Sequence, residues 1–124
     1  MKKILIIGTG GTIASIPSED GFVPGLDANA LISMVPGLSE LADLECLQIM
    51  DLDSSNIGPE HWELMAKTIQ NNYAKYDGFV FTHGTDTMAY SAAAISQMVN
   101  NCQKPIVFTG AQLTMGEEGT DAKA

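Results

Sequence analysis

Positive charge is scarce in this chain. Six basic residues stand against 15 acidic ones, a formal net charge of −9. A field of that sign repels phosphate polyanions, so nucleic acid and anionic membrane are disfavoured as partners, and the balance otherwise fits an ordinary soluble surface. Cysteine is scarce as well. Cys46 and Cys102 are the two, neither in a Cys-x-x-Cys pair, which removes the zinc and dithiol readings. Two lone thiols are expected as small buried hydrophobes in a reducing compartment. Long apolar runs are also missing. The run Ile4-Leu5-Ile6-Ile7 stops at Gly8, short of the roughly 7–15 residues of a secretory signal core. Nothing approaches the ~20 apolar residues of a membrane span. These absences together predict a cytoplasmic protein.

What is present is the pattern of one globular domain. The chain has 124 residues, 45% of them hydrophobic, enough for a real core. Residues 3–7 read as a strand buried on both faces. Residues 15–26 carry Pro17, Gly21, Pro24 and Gly25 and read as a long loop or loose hairpin. Asp27 is placed to cap a short helix over 28–34, which Pro36-Gly37 ends. A second strand is predicted over 44–50. Pro59 opens a helix to about residue 73, with Trp62, Met65, Ala66 and Ile69 on one face. A third strand covers 79–82, a helix 87–100 and a fourth strand 106–109. In that helix Met88, Ala92, Ile95 and Val99 share a face. This alternation predicts an α/β fold, a doubly wound and mostly parallel sheet with helices on both faces and right-handed crossovers. Ligands in such sheets bind outside the carboxyl ends of the strands. The polar loops 8–14, 51–56, 83–87 and 110–114 all fall there.

Those loops carry the candidate chemistry. Gly8-Thr9-Gly10-Gly11-Thr12-Ile13-Ala14 follows the first strand, and its glycines permit a tight turn and close approach to a ligand. Thr12 could act as a hydroxyl nucleophile, given a base to activate it and backbone N–H groups for a developing oxyanion. A plain tight turn and a phosphate cradle are the competing readings. The P-loop lysine is missing, and Ile13 stands where Gly-x-Gly-x-x-Gly needs its last glycine. Thr85 and Asp86 sit near a helix N-terminus, which favours a carboxylate, while Asp86 could hold an ammonium group, so an amino acid would suit the pair. Taken alone, simple N-capping is the better account of both. Asp53-Ser54-Ser55 reads either as a contact for a small polar ligand or as an ordinary turn. His83 reads as structural at least as readily as a general base. His61 is expected on a helix surface and Trp62 in the core.

Thr9-Gly10-Gly11-Thr12-Ile13-Ala14, together with the stretch from Asp77-Gly78-Phe79-Val80-Phe81-Thr82 to His83-Gly84-Thr85-Asp86-Thr87-Met88, resembles the bacterial L-asparaginases. The stretch from Asp53-Ser54-Ser55 to Trp62 and the lack of a secretion signal look like the cytoplasmic, type I branch. The resemblance runs over essentially the whole chain. It implies hydrolysis of L-asparagine to L-aspartate and ammonia with no metal or cofactor. It also implies that Thr12 attacks the side-chain amide to form an acyl-enzyme, and that Thr85 and Asp86 belong to a Thr-Asp-Lys group, with Thr85 near the reacting amide. Asp53, Ser54, Ser55 and Asp86 are implied to hold the substrate's charged α-groups, and the backbone near Ala111 to line the pocket. The family forms homodimers or tetramers.

Two departures from the family pattern stand out. Where family members often carry a loop tyrosine, this chain has Phe22. Family enzymes are also roughly 330 residues, a two-domain size. The lysine of the Thr-Asp-Lys group falls beyond the matched region, as does the C-terminal domain that helps close a neighbour's site. The chain therefore reads as residues 1–124 of an N-terminal asparaginase-like domain, with little or no activity alone. Two other readings stay open. One is the related tRNA-dependent amidotransferase subunit, expected to carry an extra N-terminal domain that this sequence does not begin with. The other is a non-catalytic module binding amino acids or nucleotides.

Overall fold

In the computed structural model the described residues are 1–11, 15–18, 21–24 and 28–111, with the backbone alone for 15–18, 21–24, 28, 29 and 31. Four strands make one parallel sheet: β1 (Lys3–Gly8), β4 (Asp43–Gln48), β5 (Gly78–Thr82) and β6 (Ile106–Thr109), in the order β4-β1-β5-β6. Between β1 and β4 run an antiparallel hairpin, β2 (Ser15–Ser18) with β3 (Gly21–Pro24), then α1 (Ala28–Ser33) and α2 (Leu38–Leu41). The proline-rich stretch is thus a hairpin. Helix α3 (Pro59–Asn72) joins β4 to β5, and α4 (Met88–Met98) joins β5 to β6.

β1 is interior because its apolar run has no polar face to show to water. Leu5, Ile6 and Ile7 are all buried. Alternation sends Leu5 and Ile7 to the same face as their register partners Phe79 and Phe81. There they meet Met65, Ile69 and Ile95 in one cluster, against which Trp62, Ala66, Val99 and Phe108 pack. Phe81 and Phe108 stack with ring centres 4.8 Å apart. The predicted apolar stripe of α3 faces this cluster, as do Ile95 and Val99 of the predicted α4 stripe, and the two helices touch each other. On the way from β1 to β4 the chain moves in one direction across the sheet, and from β4 to β5 it moves back. Right-handed crossovers then put α1 and α2, which lie against β4, on the opposite face from α3 and α4. The sheet is doubly wound, and its direction reverses at β1, where such folds open a crevice at the strand ends.

Three expectations need correction. Helix α4 begins at Met88 with Thr87 at the N-cap position, so neither Thr85 nor Asp86 caps it; both lie in the preceding turn. The two thiols are half-buried and not core residues. Helix α1 already ends at Ser33, ahead of Pro36-Gly37, and the left-handed Gly37 (φ 81°) starts a further short helix, α2, that the sequence pattern does not show. The proposed cap Asp27 lies outside the described residues.

Candidate active site

Beyond β1 the chain enters a buried turn that is pinned from two sides. Thr9, with no exposed surface, donates both its backbone N–H (3.1 Å) and its hydroxyl (2.6 Å) to the Thr82 carbonyl at the end of β5. Its own carbonyl accepts from the Leu52 N–H at 2.9 Å, in the loop after β4. Gly10 and Gly11 follow with φ of 104° and 91°, a region that other residues enter only at a cost. Space excludes side chains as well. A Cβ on Gly11 would stand 2.4 Å from the backbone nitrogen of Gly84, and one on Gly10 would stand 2.7 Å from Leu52 N and O.

Four loops therefore meet at one sheet edge. A Cβ on Gly84 would lie 2.6 Å from the Ser54 Cβ, and one on Gly110 would lie 2.4 Å from the His83 carbonyl. The Thr87 hydroxyl donates to the Ser54 carbonyl at 2.7 Å, and the His83 N–H donates to the Thr109 carbonyl at 2.9 Å. Ser54 is buried in this junction, Thr85 is half-buried, and Asp53, Ser55 and Asp86 are exposed towards its rim. Asp53 is also a cap. Its Oδ1 accepts from both the N–H and the hydroxyl of Ser55 at 3.1 Å, holding a 3-10 turn over Ser54–Asn56. These residues thus form a turn and stand in the junction as well. Ala111 is buried beside the last of the four loops. Thr12 follows Gly11 directly in sequence but lies outside the described residues, as does the Phe22 side chain.

The junction presents hydroxyls, two rim carboxylates and closely packed backbone, which suits a small zwitterion. Carboxylates such as Asp53 and Asp86 can attract an ammonium group, and a helix N-terminus such as that of α4 favours a carboxylate. Among the described residues no group of three or more His, Cys, Asp or Glu is placed to hold a metal. No helix among them is long and apolar enough to cross a membrane. A cavity of about 620 Å³ opens between α3 and the end of α4, and none of the candidate site residues lines it.

Sequence reasoning missed the link between three side chains behind the junction. His83 has no exposed surface, and Ser91 and Trp62 bond to it in series. Ser91 was legible in principle. It stands three residues after Met88 and four before Ile95, on the apolar stripe of α4, and a serine on such a stripe requires a buried partner.

Comparison with known proteins follows the same outline. The family described as "Asparaginase, N-terminal" matches residues 3–124. The L-asparaginase of Thermococcus kodakarensis is 40% identical over 122 residues, 97% of this chain and 37% of that protein; its solved structure superposes with a TM-score of 0.88 over 98% of this chain and 37% of that one. A structure described as a probable cytoplasmic L-asparaginase from Campylobacter jejuni gives a TM-score of 0.85 at 36% identity, covering 99% of this chain and 37% of that one. A glutamyl-tRNA(Gln) amidotransferase subunit of Pyrococcus furiosus is 41% identical over 125 residues, 98% of this chain and 28% of that protein. The chain spans little more than a third of the length of the L-asparaginases it matches.

Proposed function

The chain belongs to the asparaginase N-terminal family, and on that premise we propose that residues 1–124 form the N-terminal domain of an amidohydrolase that converts L-asparagine and water to L-aspartate and ammonia. The observation that carries this reading is the contact of Gly11 with Gly84, which brings the loop bearing Thr12 against the loop bearing Thr85 and Asp86.

In the proposed reaction the Thr12 hydroxyl attacks the side-chain amide carbonyl. A C–O bond forms, the C–N bond breaks, and the hydroxyl proton leaves with ammonia. Water then attacks the acyl-enzyme, releases aspartate and returns a proton to Thr12. Thr85 stands near the reacting amide and relays the proton. Asp53 and Asp86 hold the substrate ammonium group, Ser54 and Ser55 hold its carboxylate, and the backbone at Ala111 closes the pocket. Resemblance assigns the third member of the Thr-Asp-Lys group, a lysine, to a stretch beyond the matched residues, so the activity is that of a longer protein. We assign that protein to the bacterial, type I branch, acting in the cytoplasm as a homo-oligomer without metal or cofactor. The likeness to the probable cytoplasmic enzyme of Campylobacter jejuni supports the cytoplasmic assignment.

A second reading has an observation of its own. The identity to the glutamyl-tRNA(Gln) amidotransferase subunit is within one percentage point of that to the Thermococcus kodakarensis L-asparaginase, 41% against 40%, so a tRNA-dependent amide hydrolysis would use the same residues. The test is ammonia release from L-asparagine by the protein expressed from its native coding sequence, with and without tRNA. The expected outcome is tRNA-independent release that Thr12→Ala lowers on the order of 10⁴-fold in kcat. Release that needs tRNA selects the second reading. Binding of asparagine without any release selects the non-catalytic module.

A further inference from the structure

His83 takes no step in the reaction just proposed, yet both its ring nitrogens are engaged in a buried place. Nδ1 lies 2.6 Å from the Gly84 carbonyl, which can only accept, so Nδ1 carries the proton. Nε2 lies 2.8 Å from the Ser91 hydroxyl. That hydroxyl accepts from the Trp62 indole N–H at 2.9 Å, leaving its own proton to donate to Nε2. Burial holds the imidazole below its usual range, so the ring is neutral and the roles are fixed. The result is one directed chain: Trp62 N–H to Ser91, Ser91 O–H to His83, His83 N–H to the Gly84 carbonyl. It begins on α3, crosses α4 and ends on the peptide group whose nitrogen belongs to Thr85.

We propose that His83, held as the Nδ1–H tautomer by Ser91 and Trp62, is the positioning residue that sets the Gly84–Thr85 peptide at the candidate active site. The Gly84 backbone is squeezed between Gly11 and Ser54, so a small rotation of its peptide would shift Thr85 and Asp86 together. Hydrogen bonds to a neutral imidazole are weaker than a charged pair, but a directed chain with every member satisfied fixes orientation, which is what a positioning role requires. The positioning claim rests on the junction geometry; its catalytic consequence rests on the asparaginase reading.

The test uses protein from the native coding sequence, labelled with ¹⁵N-histidine and ¹⁵N-threonine. Long-range ¹H–¹⁵N spectra are expected to show His83 as the Nδ1–H tautomer, assigned by its loss in His83→Gln. His61 is an internal contrast. Its Nδ1 accepts from the Gly58 N–H at 2.9 Å, so when neutral it is the Nε2–H form. Ser91→Ala is expected to displace the Thr85 amide resonance, and Ser91→Thr, which keeps a hydroxyl, to restore it. With asparagine as substrate, Ser91→Ala lowers kcat about tenfold, the scale of one buried hydrogen bond, with KM changed less, and Ser91→Thr recovers most of it. An Nε2–H tautomer at His83, or a Thr85 amide unmoved in Ser91→Ala, overturns the proposal. A wild-type protein that shows the spectra but releases no ammonia overturns the asparaginase reading and leaves the positioning role standing.

Discussion

At Gly11 two independent restrictions coincide: a φ of 91° and a neighbouring backbone where a Cβ would go. Either one alone could be absorbed by a small shift, but the backbone of Gly84 is itself backed by Ser54 and has no room to yield. Gly11→Ala is expected to lower stability by about 1–3 kcal/mol from backbone strain, with the displacement of Gly84 adding to it. Chemical denaturation measures this, and a midpoint shift equivalent to less than about 0.5 kcal/mol would show that the two loops separate freely. The glycine-rich motif was legible in the sequence as a turn. That Gly11 serves contact with Gly84, in a distant loop, was not, because sequence spacing carries no information about which loops meet.

Among the elements, side chains near the amino ends of the strands are tied together too. The Tyr76 hydroxyl donates to the Glu45 carboxylate, Lys3 pairs with the same carboxylate at 3.3 Å, and the Asp77 carboxylate accepts from the Lys3 N–H at 2.7 Å. One cluster thus spans β4, β1 and the start of β5. The Glu45 hydrogen bond, with burial adding to it, pushes Tyr76 up to about 12 from the ordinary 10.0. The folded chain keeps that proton where the unfolded chain has lost it. The contribution is therefore full below pH 10 and disappears as pH rises from 10 towards 12. Alkaline titration of tyrosinate absorbance should show Tyr76 ionising near 12, a phase absent in Tyr76→Phe. A Tyr76 that ionises near the ordinary 10.0 contradicts the geometry. Helix stripes and strand runs predicted these elements closely, since apolar periodicity is a local property. The Tyr76–Glu45 bond joins residues 31 positions apart and has no local signal.

At the scale of the molecule, β4 and β6 are the outer strands of the sheet among the described residues, and each carries an exposed apolar side chain, Leu47 and Val107. Edges of that kind invite pairing with further chain or with a second copy. At the junction of four loops Asp53, Ser55 and Asp86 are exposed, and water competes with electrostatic contacts there. Residues 1–124 in isolation are accordingly expected to release ammonia from asparagine at no more than the rate of Thr12→Ala in the native-length protein. A higher rate from the isolated chain, abolished by Thr12→Ala, would show that these residues form a sufficient site.

By itself the sequence determined the order and kind of the elements, the parallel sheet, and the loops that carry the chemistry, because each follows from apolar period, turn residues and connection length. It also made the family legible through two motifs placed in order. The tertiary structure alone decided which loops touch, that Asp53 caps its own turn while standing at the junction, and that Thr87 rather than Thr85 or Asp86 occupies the cap of α4. It alone turned His83, Ser91 and Trp62 into one chain of hydrogen bonds. The reason is physical. Hydrogen bonds and backbone contacts between distant segments depend on where the crossovers deliver those segments, and that is settled only when the hydrophobic core packs.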